Sequence, residues 1–175
     1  MKPITFQLNG SARSVWVEPN ETLLDVLRGK LGIKTPKEGC GRGDCGACTV
    51  LLDGKAVRSC LILAVEVEGQ SVTTLEGVGQ KGPTALQKAF IENNVFQCGF
   101  CAPGVILAAS ALLAENPKPS EAEVREALAG NLCRCTGYEP IVEAGRAIKG
   151  QKSAMIPAAL PAPRLEPLGY MQDGG

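Results

Sequence analysis

Gly39 to Cys48 reads GCGRGDCGAC, placing Cys40, Cys45 and Cys48 within ten residues, and Cys60 follows after eleven more. The spacing C-x4-C-x2-C with a distant fourth cysteine is the plant-type arrangement for a [2Fe–2S] cluster. Soft thiolates suit iron and sulfide, and a single loop can wrap three of them around one small inorganic core. Gly39, Gly41, Gly43 and Gly46 are interleaved with the cysteines. They permit turns with positive φ and let backbone N–H groups approach the sulfurs. A structural zinc site would more often show paired C-x2-C knuckles and has no use for so many glycines.

The rest of the composition narrows the class. The chain has 175 residues, with 18 Lys plus Arg against 18 Asp plus Glu. That balance gives no attraction to nucleic acid or to a membrane surface. Aromatic residues make up only 4%, too few for a base-stacking platform. MKPITFQLNG at the start has no apolar core of an export signal and no twin arginine. No apolar run approaches the ~20 residues of a membrane span. Eight cysteines in such a chain point to metal binding, and the expected location is cytoplasmic. There is no histidine, which excludes Cys2His2 zinc, Rieske-type ligation and His-based catalysis.

Working outward from the loop, residues 3–17 predict a hairpin, with ITFQL and RSVWVE alternating around Asn9-Gly10. Thr22 to Asp25 offers a capping box for a helix running to about Leu31, with Leu24, Leu27 and Leu31 on one face and Gly32 as its stop. TVLLDG and KAVRSC predict a second hairpin around Asp53-Gly54, and SVTTLEG one more strand. Two hairpins and a crossing helix follow the β-grasp order. From about Gly79 the pattern turns helical: TALQKAFIENN after Pro83, residues 103–115, a helix opened by Ser120–Glu123, and Tyr138 to Lys149. The fold class expected is α+β, a β-grasp ferredoxin-type domain over 1–78 and a four-helix domain over 79–150. Residues 151–175 carry Pro157, Pro161, Pro163 and Pro167 and read as an extended arm.

The helical half has its own four cysteines. Cys98 and Cys101 lie in QCGFC, Cys133 and Cys135 in NLCRC, each pair between two predicted helices. Pairs from two inter-helix connections can converge on one metal core. Read alone, they leave open a second [2Fe–2S] cluster or a four-cysteine zinc, although C-x-C is tight for zinc.

Together, GCGRGDCGACTV, Cys60, QCGFC-x-PG and GNLCRCTGY resemble the iron–sulfur subunit of the molybdenum hydroxylases, the xanthine dehydrogenase, aldehyde oxidoreductase and carbon monoxide dehydrogenase family. The resemblance covers about residues 3–150. It implies one [2Fe–2S] cluster on Cys40, Cys45, Cys48 and Cys60 and another on Cys98, Cys101, Cys133 and Cys135. It also implies a large partner subunit with molybdopterin and molybdenum, a medium subunit with FAD, and a hetero-oligomer such as a dimer of heterotrimers. In the family the positions matching Gln97 and Cys135 lie against the pterin. Electrons would therefore enter through the helical half and leave towards the flavin through the β-grasp half. Two departures stand out, Ala102 where many relatives have threonine, and the long C-terminal arm.

No carboxylate pair, Ser/His arrangement or G-x-x-x-x-G-K loop is present, so substrate chemistry belongs elsewhere. The expected role is electron relay within an oxidoreductase complex. A free-standing two-cluster carrier is the alternative, and a zinc module that only organises a complex is a third reading. Among single residues, Arg42 and Asp44 are expected as loop charges or docking contacts, and Arg134 as a partner for a carboxylate or phosphate. Trp16 is expected to pack in the first hairpin, Phe100 to shield a cluster, and Tyr138 to anchor its helix.

Overall fold

The computed structural model describes residues 1–80 and 82–147. β1 (Lys2–Leu8) and β2 (Ser11–Val17) pair antiparallel from Lys2–Val17 to Leu8–Ser11. Their turn has Asn9 at φ 52° and Gly10 at φ 82°, the two positive angles that a tight twisted hairpin requires. β3 (Thr49–Leu52) and β4 (Lys55–Arg58) form the second hairpin around Asp53 and Gly54. β5 (Ser71–Thr73) lies between β1 and β3, parallel to the first and antiparallel to the second. The sheet order is therefore β2-β1-β5-β3-β4, and the parallel β1–β5 pair obliges the chain to cross over between them.

That crossover contains the helix. Thr22 caps it as expected: its hydroxyl accepts the Asp25 N–H at 3.2 Å, and the Asp25 carboxylate accepts the Thr22 N–H at 3.0 Å. Regular α geometry covers only α1 (Leu23–Asp25), however, and a π-helical turn takes over from Val26 to Lys30. The expected stripe changes with it. Leu23, Leu24, Val26 and Leu27 are buried, and Leu31 is only partly so. These four still share one helical face, so they do not themselves select the wider turn, while Gly29 lowers the helix propensity of the stretch that widens. Gly32 at φ 70° stops it, and Ile33 N–H bonds back to Leu27 O at 2.8 Å. Leu23, Val26 and Leu27 then close a core with Ile4, Phe6, Leu8, Val50, Val67 and Val72. A 3-10 turn at Ala64–Val67, absent from the sequence reading, supplies Val67.

The helical half has four helices, α2 (Ala85–Glu92), α3 (Ala102–Glu115), α4 (Glu121–Leu128) and α5 (Glu139–Ala147). Capping boxes start two of them, Thr84 with Gln87 and Ser120 with Glu123. Their core joins Leu86, Phe90, Ile106, Leu128 and Ile141, with Phe90 meeting Phe96 edge to face at 5.2 Å. Every residue from Pro103 to Ala111 in α3 is buried. One side of α3 faces the bundle, and Leu107 and Ala111 on the other join Leu51 of β3 and Val78. A helix packed between two cores has no solvent face, which is why its sequence shows no amphipathic stripe.

Two expectations change. Trp16 is 60% exposed on the edge strand, so it is not a packing residue of the hairpin. Phe100 is 47% exposed, too open to seal a site from water. Ile148 and Lys149, expected at the end of the last helix, and residues 151–175, expected as an arm, lie outside the described residues.

Candidate metal centres

The second hairpin assembles one half of the first cysteine set. Cys48 immediately precedes β3, and Cys60 follows β4 by two residues. The Thr49–Arg58 pairing continues past the strands, because Ser59 donates to the Cys48 carbonyl through both N–H and Oγ, at 3.3 and 2.7 Å. The two sulfurs stand 3.4 Å apart, buried beside Leu24. Burial, reinforced by the neighbouring Cys48, pushes the Cys60 thiol up to about 11. Cys40 and Cys45 form the more open half. Cys45 N–H donates to Cys40 Sγ at 3.5 Å, and the Arg42 N–H, followed by that of Cys45, holds the Cys40 thiol down to about 7. A loop of N–H groups aimed at sulfur stabilises thiolate, the form that binds metal.

The loop glycines serve two different purposes. Gly41, Gly43 and Gly46 have φ of 65°, 88° and 70°. Gly39 does not need that region; a Cβ there would lie 2.8 Å from Cys45 Sγ. Arg42 and Asp44 pair with each other at 2.7 Å, both well exposed, as solvated loop charges do.

In the helical half, Cys98 and Cys101 sit between α2 and α3, with Cys101 at the cap of α3. Cys133 and Cys135 sit between α4 and α5. Cys98 and Cys135 approach at 3.6 Å on an exposed edge. Cys101 is buried, and that burial, followed by its neighbour Cys133, drives its thiol up to about 12. Burial would also raise Cys133, but hydrogen bonds from the Thr136 hydroxyl and the Thr136 and Cys135 N–H groups bring it below its ordinary value. The Gln97 side-chain amide donates to the Cys135 carbonyl at 3.1 Å, which puts Gln97 on the same exposed edge as Cys98 and Cys135. Arg134 is exposed and makes no ion pair among the described residues. Tyr138 does more than anchor α5: its phenol oxygen accepts the Cys133 N–H at 2.8 Å.

The two sets are tied together. Leu132 N–H donates to the Cys45 carbonyl at 2.9 Å, and the buried Asn131 side chain bonds into the first loop. Arg58 spans the same junction, donating to Thr49 Oγ1 at 2.8 Å and to the Gly130 carbonyl at 2.7 Å. Lys37 reaches across as well, with its ammonium 3.2 Å from the Phe100 carbonyl and 5.3 Å from the centre of that ring. Asn131, Thr136, Arg58 and Lys37 are not among the residues expected from the sequence. The first two stand inside GNLCRCTGY and could have been found there. Arg58 and Lys37 carry no local signal.

The sulfurs gather as pairs. Among the described residues no three His, Cys, Asp or Glu side chains crowd around one point as a lone metal ion would need. Paired cysteine sulfurs, an N–H aimed at one sulfur, and a glycine where a Cβ would strike another fit a two-iron core held by four cysteines.

Residues 6–82 match the 2Fe-2S iron-sulfur cluster binding domain family, and residues 74–146 match the [2Fe-2S] binding domain family. The chain is 50% identical over 144 residues to the nicotinate dehydrogenase small FeS subunit of Eubacterium barkeri, covering 82% of this chain and 92% of that one. Quinoline 2-oxidoreductase from Pseudomonas putida 86 contains a chain of similar structure, with a TM-score of 0.80, 49% identity, and 83% and 90% of the two chains covered. The aldehyde oxidoreductase from Desulfovibrio desulfuricans matches with a TM-score of 0.80 and 51% identity, over 83% of this chain but 17% of that longer one. With its ferredoxin-type half, its helical half and these relatives, the chain belongs to the iron–sulfur subunit family of the molybdenum hydroxylases.

Proposed function

We propose that this chain relays electrons within a molybdopterin-dependent hydroxylase or dehydrogenase, from the molybdenum cofactor of one partner to a flavin or other acceptor. The observation that carries this is the convergence of eight cysteines into two sets, joined by the Leu132–Cys45 hydrogen bond. Cys40, Cys45, Cys48 and Cys60 would hold one [2Fe–2S] cluster, and Cys98, Cys101, Cys133 and Cys135 the other. The domain division follows, 1–78 and 79–150. The overlap of the two family matches at residues 74–82 supports a boundary near Gly79.

Bound in such a site, a [2Fe–2S] cluster accepts and releases one electron at a time. The residues of this chain set the conditions. Cys48, Cys60 and Cys101 keep one side of each set away from water, while Cys98 and Cys135 leave an edge open. That open edge, with Gln97 beside it, is where a molybdopterin-binding large subunit would dock, and Gln97 and Cys135 would contact the pterin. The first loop, with its partly exposed Cys40 and Cys45, would face a medium FAD subunit. The assembly would be a hetero-oligomer, a dimer of heterotrimers in its fullest form. No helix among the described residues is long and apolar enough to cross a membrane. The reading puts the chain in the cytoplasm, where thiols stay reduced.

Iron and acid-labile sulfide analysis tests it. Four of each per chain are expected from two [2Fe–2S] cores. Cys45→Ala should remove one reduced-cluster EPR signal and Cys101→Ala the other. Stoichiometric zinc, iron without sulfide, or loss of the same signal in both variants would refute the assignment.

A further inference from the structure

The turn from Cys133 to Tyr138 contains an arrangement that holding iron does not by itself require. Thr136 Oγ1 donates its hydrogen to Cys133 Sγ at 3.1 Å. The same oxygen accepts the Tyr138 N–H at 3.2 Å, which occupies a lone pair and leaves the hydroxyl hydrogen directed at sulfur. The Tyr138 phenol oxygen then accepts the Cys133 N–H at 2.8 Å. Three bonds thus connect residues 133, 136 and 138 in a ring. Tyr138 adopts φ 71°, a backbone angle that a bulky side chain holds only when its surroundings impose it. Here the hydrogen bonds hold it at both ends, the phenol oxygen on the Cys133 N–H and the Tyr138 N–H on Thr136, and α5 starts at the next residue.

The arrangement is also selective. Among the described residues no other cysteine sulfur has a hydroxyl donor. Cys40 accepts a backbone N–H, and the Cys48–Cys60 and Cys98–Cys135 contacts are between sulfurs. One cluster would therefore carry a side-chain hydrogen bond that its neighbour lacks. Adding an electron makes a cluster one charge more negative, and a donor to a ligand sulfur favours the more negative state.

We propose that Thr136 is a positioning residue that sets the reduction potential of the helical-half cluster, its hydroxyl hydrogen bond to Cys133 Sγ raising that potential selectively. The inference rests on the two-cluster reading above. The step concerned is the gain of one electron by the bound cluster; no bond to Thr136 forms or breaks. Tyr138 acts through Thr136 and Cys133 by fixing the turn.

The test is an EPR-monitored redox titration of the full chain carrying both clusters. Thr136→Val should weaken the reduction equilibrium of one cluster about tenfold, a fall of about 59 mV for one electron, and leave the other unmoved. Thr136→Ser keeps the hydroxyl and should restore most of the difference. Unmoved midpoints in the valine variant, equal shifts in both clusters, or a serine variant that behaves like valine would overturn the proposal. If valine prevents assembly, Thr136→Ala makes the same deletion without branching. Should that fail too, resonance Raman of the wild-type chain soon after dilution into D2O decides: the Thr136 hydroxyl hydrogen exchanges before the backbone N–H groups bonded to the same sulfur, so an early shift of an Fe–S stretch is expected and no early shift refutes the proposal. Iron, sulfide and two EPR signals in the wild type are checked first. Their absence defeats the two-cluster reading, whereas intact signals with unchanged potentials defeat only the role of Thr136.

Discussion

The Asn131 side-chain amide donates to the Gly46 carbonyl at 3.0 Å, joining the residue after Cys45 to the residue two before Cys133. Asn131 is 1% exposed, and the same nitrogen donates to Thr49 Oγ1 at 3.1 Å. Thr49 Oγ1 in turn donates back to the Gly46 carbonyl at 2.6 Å. A buried amide with its donors used in this way is costly to disturb, because each orphaned partner loses its bond without regaining water. The relative placement of the two cysteine loops thus rests on a few polar atoms as well as on the apolar contact of Leu51 with Leu107.

Gly104 gives a sharp test of how tight that junction is, because two effects oppose each other there. Gly104 lies inside α3, where alanine is favoured over glycine by about 1 kcal/mol on helix propensity. A Cβ at that position, however, would overlap the Gly46 carbonyl oxygen and lie 2.9 Å from Asn131 Nδ2. Both neighbours are held, one as backbone and the other by its hydrogen bonds, so neither can swing away. Overpacking of this kind costs typically 1–3 kcal/mol, which exceeds the propensity gain. Gly104→Ala should therefore be net destabilising in urea unfolding of the cluster-loaded chain. A variant as stable as the parent, or more so, would show that α3 can move away from the first loop.

How much of this was readable from sequence differs from residue to residue. Asn9-Gly10 and Asp53-Gly54 announce their hairpins because only a few residue types tolerate two positive φ angles in a row. The cysteine spacings are legible for a similar reason, since metal ligation fixes both residue type and distance along the chain. The π-helical turn at Val26–Lys30 was not legible: its apolar residues suit a helical face, and only the core beneath them selects the wider geometry. Burial of α3 could be expected from its composition, but its second contact, on β3, could not. Arg58 and Lys37 reach residues 72 and 63 positions away, a relation that no local pattern encodes. Thr136 stands in a readable motif, yet only the fold of the turn directs its hydroxyl at sulfur.

The thiols of the metal-free chain should differ in reactivity by ionisation. Cys40 is held down to about 7, whereas burial takes Cys60 up to about 11 and Cys101 up to about 12. Alkylation proceeds through the thiolate. Between about pH 8 and 9 the Cys40 rate should have nearly levelled off, because that thiol is already ionised. Over the same range the Cys60 and Cys101 rates should rise about tenfold per pH unit, in step with their thiolate fractions. Peptide mass spectrometry after timed iodoacetamide pulses reads each site. The slopes separate ionisation from accessibility, since access alone would not change with pH. Equal slopes at all sites would mean that the two cysteine loops do not persist once metal is removed, and that metal is needed to organise them.

Gln97 provides the last prediction, on where electrons enter. Its amide donates to the Cys135 carbonyl at 3.1 Å, and Gln97, Cys98 and Cys135 share an exposed edge. In the isolated chain this edge faces solvent, so losing the amide should cost little there. If the large subunit docks on this edge as proposed, the edge becomes buried, and a missing polar partner then costs about 1–3 kcal/mol. Gln97→Ala should accordingly leave iron and sulfide content intact, because glutamine is not among the proposed ligands. In the assembled complex it should slow cluster reduction by substrate, while reduction by dithionite, a small donor with no need of that edge, stays normal. Stopped-flow bleaching with each reductant makes the comparison. Substrate-driven bleaching as fast as in the parent would place the entry point elsewhere on the helical half. Slowing with both reductants would point to damage at the Cys98–Cys135 pair itself, since only such damage affects a donor that bypasses the partner.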